Sequence, residues 1–195
     1  MKRFSVNPLT VAALCLLVPS LVHAHVGVGA TNGFEHGFTH PLTGLDHICA
    51  MLAVGLWAAQ MGGRAIWAVP LTFVSVMAVG GMLGMSGIAL PFTEQGIILS
   101  VLTLGVLIAA SARLPLVASM IIVGLFAIFH GHAHGAEMPE TASGVLYAGG
   151  FILATAMLHA SGIGMGILLQ RIAKPTFVRF AGAAIAVCGV VLCFI

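Results

Sequence analysis

Six apolar runs follow one another along this chain, at about 41–61, 65–90, 95–112, 114–130, 142–169 and 177–195. Each is near the roughly 20 residues that a helix needs to cross a bilayer. Only 6% of the 195 residues are charged, against about 25% in a soluble domain. The expected class is therefore an all-α polytopic membrane protein, with a six-helix transmembrane bundle over 41–195 and little room for a soluble domain. The net charge of +2 gives no argument for nucleic acid. What matters is where the charges fall.

They fall asymmetrically. Arg64 follows the first run, Arg113 follows the third, and Arg171, Lys174 and Arg179 surround the last link. Glu94, Glu137 and Glu140 occupy the alternate links. By the positive-inside rule the basic links face the cytoplasm, and the mature N-terminus lies outside.

The first 24 residues read as a signal peptide. Lys2 and Arg3 form a basic n-region, Val11 to Val18 a short apolar core that Pro19 breaks, and Val22-His23-Ala24 a cleavage site. An uncleaved anchor is the rival reading, for which the run is short. Cleavage would expose His25, whose α-amine and imidazole can chelate a metal, although a single His at that place is expected by chance. Residues 25–40 read as an extracytoplasmic N-terminal segment, rich in Gly and carrying Glu35 and His36. His36 and His40 are one helical turn apart, although loop solvation is the expected role of His36.

Two stretches carry chemistry. The first is His40-Pro41-Leu42-Thr43-Gly44-Leu45-Asp46-His47, which holds the only Asp in the chain. Asp46 and His47 are expected about two turns inside the first membrane helix. A carboxylate at a helix centre costs roughly 2.5–3.5 kcal/mol on insertion scales, less near the interface, and it needs a partner. A divalent metal fits, because His with carboxylate suits borderline cations such as nickel, cobalt or zinc. A self-satisfied carboxylate–imidazole pair between helices is the alternative. His40 and His47 are seven apart, about 10 Å along a straight helix. They share one ion only if Pro41 and Gly44 bend the start. Met51, four after His47, offers a thioether, with packing as its plainer role.

The second stretch is Phe129-His130-Gly131-His132-Ala133-His134-Gly135-Ala136-Glu137, which ends the fourth run. If the helix continues, His130, His134 and Glu137 share a face and His132 points elsewhere. If Gly131 and Gly135 break it, His132 and His134 point together. A loose metal-binding tract is the plainer reading. Both stretches are expected at the outer side of the membrane. His159, inside the fifth run, is either a relay ligand or an imidazole hydrogen-bonded between helices.

The remaining features are structural. Gly80-x3-Gly84 and Gly162-x3-Gly166 are small-xxx-small patterns that let helices approach in lipid. Cys15, Cys49, Cys188 and Cys193 lack CxxC spacing and read as small buried hydrophobes. No Walker A sequence is present.

His40-x5-Asp46-His47, continued by Ala50-Met51 and Val54-Gly55-x-Trp57, resembles the first signature of the HupE/UreJ family of nickel permeases. Phe129-His130-Gly131-x-Ala133-His134-Gly135-x-Glu137 resembles the second. The likeness covers nearly the whole chain, and the two motifs together are specific. It implies secondary uptake of Ni2+ across a bacterial inner membrane to supply hydrogenase or urease maturation, with no enzymatic activity and no permanently bound cofactor. It implies His40, Asp46, His47, His130, His134 and Glu137 as the metal residues; His36, Met51, His132 and His159 are the supporting candidates that the residues themselves offer. The expected partners are the divalent ion, the bilayer, and a second copy or maturation proteins. The residues alone also admit Co2+ or Zn2+. Two other classes stand beside this one: a membrane hydrolase with catalytic zinc, and a metal-sensing or buffering subunit that does not transport.

Overall fold

The computed structural model describes residues 33–140, 142–172 and 175–194. The expected signal peptide, His25, Cys15 and Lys174 lie outside them. The described residues form seven α-helices and no strand: α1 (Gly33–Thr39), α2 (Leu45–Met61), α3 (Ala65–Met85), α4 (Thr93–Ala109), α5 (Leu116–Ala136), α6 (Gly144–Ile172) and α7 (Pro175–Leu192). A 3-10 turn, His40–Leu42, joins α1 to α2. Each apolar run carries one helix of α2 to α7. Three of them, α3, α5 and α6, are long and apolar enough to cross a membrane, and the bent α1–α2 pair brings the number to four if it is one span. The helices α4 and α7 are apolar but shorter. The chain is a multi-pass α-helical membrane protein.

The central element is α2. From Ala50 to Gln60 nearly every residue is buried, with Met51, Val54, Leu56 and Trp57 fully so. This helix touches α3, α4, α6 and α7. A helix that is apolar all round belongs inside a bundle, and the sequence Ala50-Met51-Leu52-Ala53-Val54-Gly55-Leu56-Trp57 has no polar face. Gly62 and Gly63, at φ 74° and 53°, turn the chain back into α3. That left-handed conformation suits glycine.

Around α2 the helices pair through glycine. A Cβ at Gly131 would overlap Met77 O and one at Gly135 would overlap Gly81 O, so α5 lies backbone to backbone on α3. The same close approach joins α2 to α6, where Gly55 faces His159 O and Gly162 faces Leu52 O. It also joins α1 to α6 through Gly37 and Gly150, and α4 to α7 through Gly105 and Gly182. Gly80, Gly84 and Gly162 thus serve packing as the small-residue patterns suggest, and Gly166 abuts Ala59 in the same way. Gly131 and Gly135 do not break α5.

Three expectations need correction. Residues 33–39, expected as an irregular Gly-rich lead-in, form the helix α1, folded against α6 and bent by 80° from α2. Asp46 and His47 lie on the first turn of α2 rather than two turns inside, because the 3-10 turn and the extended Gly44 delay the helix start. The cysteines are not all buried: Cys193 is exposed, and Cys49 and Cys188 are half-buried with their sulfurs 3.7 Å apart.

Candidate metal centre

The two sequence motifs meet at one end of the bundle. The 80° bend after α1 folds His40 back over the start of α2, while α5 continues as helix through Ala136. His130 and His134, one turn apart, therefore face α2 together. The His134 ring centroid lies 4.5 Å from that of His47 and 5.2 Å from that of His40. His47 lies 4.8 Å from His130. His40 and His47 thus reach the same neighbour despite their separation in sequence, as a bend at Pro41 and Gly44 requires.

Hydrogen bonds fix which ring nitrogens carry protons. Asp46 Oδ1 accepts from His47 Nδ1–H at 3.0 Å and from the His47 backbone N–H at 2.7 Å. A carboxylate at the first turn is also favoured by the helix dipole, by about 0.3–1 kcal/mol. Because the carboxylate only accepts, the His47 lone pair sits on Nε2, which is buried and has no partner. On α4, Ser100 Oγ donates its one hydrogen to Ile97 O at 2.6 Å. It therefore accepts from His130 Nε2–H at 2.8 Å, leaving the lone pair on His130 Nδ1, which is buried and unpartnered. Neither ring nitrogen of His134 has a partner, and the ring is stacked on Phe151 of α6 at 5.5 Å.

Three imidazoles thus present unbonded nitrogens within one buried cluster, where an unsatisfied polar atom ordinarily costs about 1–3 kcal/mol. Two of them are braced from behind, His47 by a carboxylate and His130 by a hydroxyl. Such bracing is typical of metal-ligating histidine. Among the described residues no group of three or more His, Cys, Asp or Glu side chains is arranged to hold a metal ion; the rings abut one another edge-on or tilted.

At the mouth, His40 Nε2–H donates to Glu137 Oε2 at 2.6 Å. Glu137, just past the end of α5, has its carboxyl held below the usual range, first by this hydrogen bond. Both residues reach the surface, so they form the outer edge of the site.

The other residues singled out in the sequence separate from this cluster. His132 points away, as a continuous helix requires: Nε2–H donates to Ile88 O at 2.7 Å and ties α5 to the segment before α4. His36 is not a loop residue; its ring lies 5.8 Å from His40 and 5.9 Å from Tyr147. Met51 is part of the apolar core. His159 is buried on α6, edge-on to Phe73 at 5.2 Å, with no hydrogen bond at either nitrogen. The sequence reading missed Ser100, although a serine in the middle of an apolar run was a visible signal. Gly44, expected only as part of a bend, also makes room for the pair: a Cβ there would lie 2.6 Å from Asp46 Oδ1.

Comparison with known proteins places the chain in a family. The HupE / UreJ protein family model matches residues 12–192. Protein HupE of Rhizobium leguminosarum bv. viciae is 47% identical over 190 residues, covering 97% of this chain and 98% of its own length. No solved structure matches the chain. With both motifs in one cluster and the match running almost end to end, the chain belongs to the HupE/UreJ family.

Proposed function

We propose that this protein is a permease that carries Ni2+, and Co2+ in its place, across the cytoplasmic membrane to supply hydrogenase or urease maturation. The observation that carries this reading is the set of unpartnered nitrogens on His47, His130 and His134, buried side by side beneath the His40–Glu137 pair. Imidazole with nearby carboxylate suits a borderline divalent cation. Membership of the HupE/UreJ family favours this reading over the hydrolase and sensor alternatives.

The ion is the substrate. Glu137 and His40 meet it hydrated at the mouth and exchange their mutual hydrogen bond for it. His134 and His47 then replace water, and His130 takes it deeper. Asp46 keeps His47 in the ligating tautomer and offsets charge as the ion enters a low-dielectric path. All six helices α2 to α7 span the membrane in this reading. The 17 residues of α2 and α4 extend about 25 Å, short of a core of about 30 Å, which local thinning accommodates. The basic links face the cytoplasm, and the signal at 1–24 is removed to leave a periplasmic N-terminus.

The test is reconstitution of the purified protein in liposomes that enclose a nickel-sensitive dye. Entry of external Ni2+ that His134→Ala abolishes is the expected result. Binding without entry would support a sensor. Cleavage of lipid or peptide without entry would support the hydrolase.

A further inference from the structure

One face of α6 runs from the candidate metal centre into the middle of the bundle. Tyr147, Phe151, Thr155 and His159 are spaced by four and share that face; all four are buried. Phe151 stacks on His134. Thr155 Oγ1 is turned to Met77 Sδ at 3.6 Å. His159 comes next, eight residues and about 12 Å beyond Phe151. It stands near the centre of the 29-residue α6.

His159 is 2% exposed and makes no hydrogen bond at either ring nitrogen. A neutral imidazole always carries one N–H and one lone pair, and leaving both unmet in an apolar core is costly. Packing alone would favour an apolar ring here. Its neighbour Phe73 touches both histidines, with ring centroids 5.2 Å from His159 and 5.6 Å from His130. His130 in turn holds its unpartnered Nδ1. Two open imidazoles thus lie against one aromatic ring, the first in the outer cluster and the second deeper.

We propose that His159 is a second metal-binding step, an interior site that receives a divalent cation from His130 across the edge of Phe73. This rests on the permease reading. A mid-membrane imidazole shortens the dehydrated path between the outer cluster and the far side, and a single neutral ligand holds an ion weakly enough to release it.

The experiment compares wild type with His159→Phe, which fills the same apolar space. Ni2+ uptake is measured in liposomes, and Co2+ is titrated into the purified full-length protein. The expected result is uptake reduced by about tenfold or more, with Co2+ binding at the outer cluster and the melting temperature unchanged. Normal uptake by His159→Phe, while wild type transports, overturns the interior step and leaves the permease reading intact. A wild type that binds Ni2+ and admits none overturns both. If His159→Phe does not accumulate, the His47→Ala/His134→Ala variant decides. It should still bind Co2+, with an absorption band that shifts when His159→Gln is added. A His47→Ala/His134→Ala variant that binds no Co2+, or whose band His159→Gln leaves unmoved, overturns the interior site.

Discussion

Asp46 Oδ1 and His47 Nδ1 lie 3.0 Å apart on the first turn of α2, and this contact leaves the His47 lone pair on the buried Nε2 of a ring packed against His130 and His134. Asp46 therefore works through its neighbour as well as through its charge. Asp46→Asn keeps an acceptor oxygen and removes the charge. The variant should insert and accumulate, yet lose roughly ten- to hundredfold in Ni2+ uptake at low external metal, the equivalent of about 1.5–3 kcal/mol. Raising external Ni2+ should restore part of it. Normal uptake at low nickel would make Asp46 a strut.

Gly44→Ala offers the same test with every candidate ligand still present. The new Cβ would lie 2.6 Å from Asp46 Oδ1 and 3.2 Å from His47 Nδ1, so the pair must separate. Uptake should fall by about tenfold. Equilibrium dialysis with Ni2+ should show the affinity falling in parallel. An unchanged affinity would mean that the Asp46–His47 hydrogen bond is dispensable.

Ser100→Ala removes the acceptor for His130 Nε2–H and frees the His130 tautomer. Metal affinity should drop by about 10- to 100-fold, and Ser100→Thr, which keeps the hydroxyl, should recover most of it. Isothermal titration on the two variants separates this from a packing effect, which Thr would worsen.

Uptake should weaken as pH falls, because protons and metal compete for the same imidazole nitrogens. Glu137 does not set this limit. Its hydrogen bond from His40 holds its carboxyl below the usual carboxylate range. Glu137→Gln should therefore lower uptake without moving the midpoint of the pH profile in liposomes. A shifted midpoint would assign the profile to the carboxylate.

The proposed orientation can be tested by labelling. With Cys193, which is exposed, replaced by Ser, a Cys placed at Glu94 or Glu140 should react with an impermeant thiol reagent outside whole cells. A Cys placed at Arg64 should not. Labelling at Arg64 from outside would reverse the topology.

The positions of the helices were legible because apolar length alone sets them in lipid. The sharing of a face by His130 and His134 followed from helical spacing, and their meeting with His47 from the common end of two runs. Three things were not legible. The helix start at Leu45 depends on a 3-10 turn that a Pro41 pattern does not specify. The approach of His36 to Tyr147 needs α1 to fold onto α6, which the Gly37–Gly150 contact explains. Ser100 is distant from both motifs in sequence, and its link to His130 exists only once α4 and α5 are neighbours.

The glycine contacts divide the moving parts. Helices α3 and α5 meet backbone to backbone, as do α2 and α6, and α1 and α6. Within such a unit neither helix can slide without driving a Cβ-less surface into a carbonyl, so each shears as one rigid body. His130 and His134 ride on the first body; His40, Asp46 and His47 ride on the second. The cluster straddles the fault line between them. A displacement of one body past the other by an ångström or so would part the imidazoles of α5 from those of the α1–α2 bend all together, without turning out any single side chain.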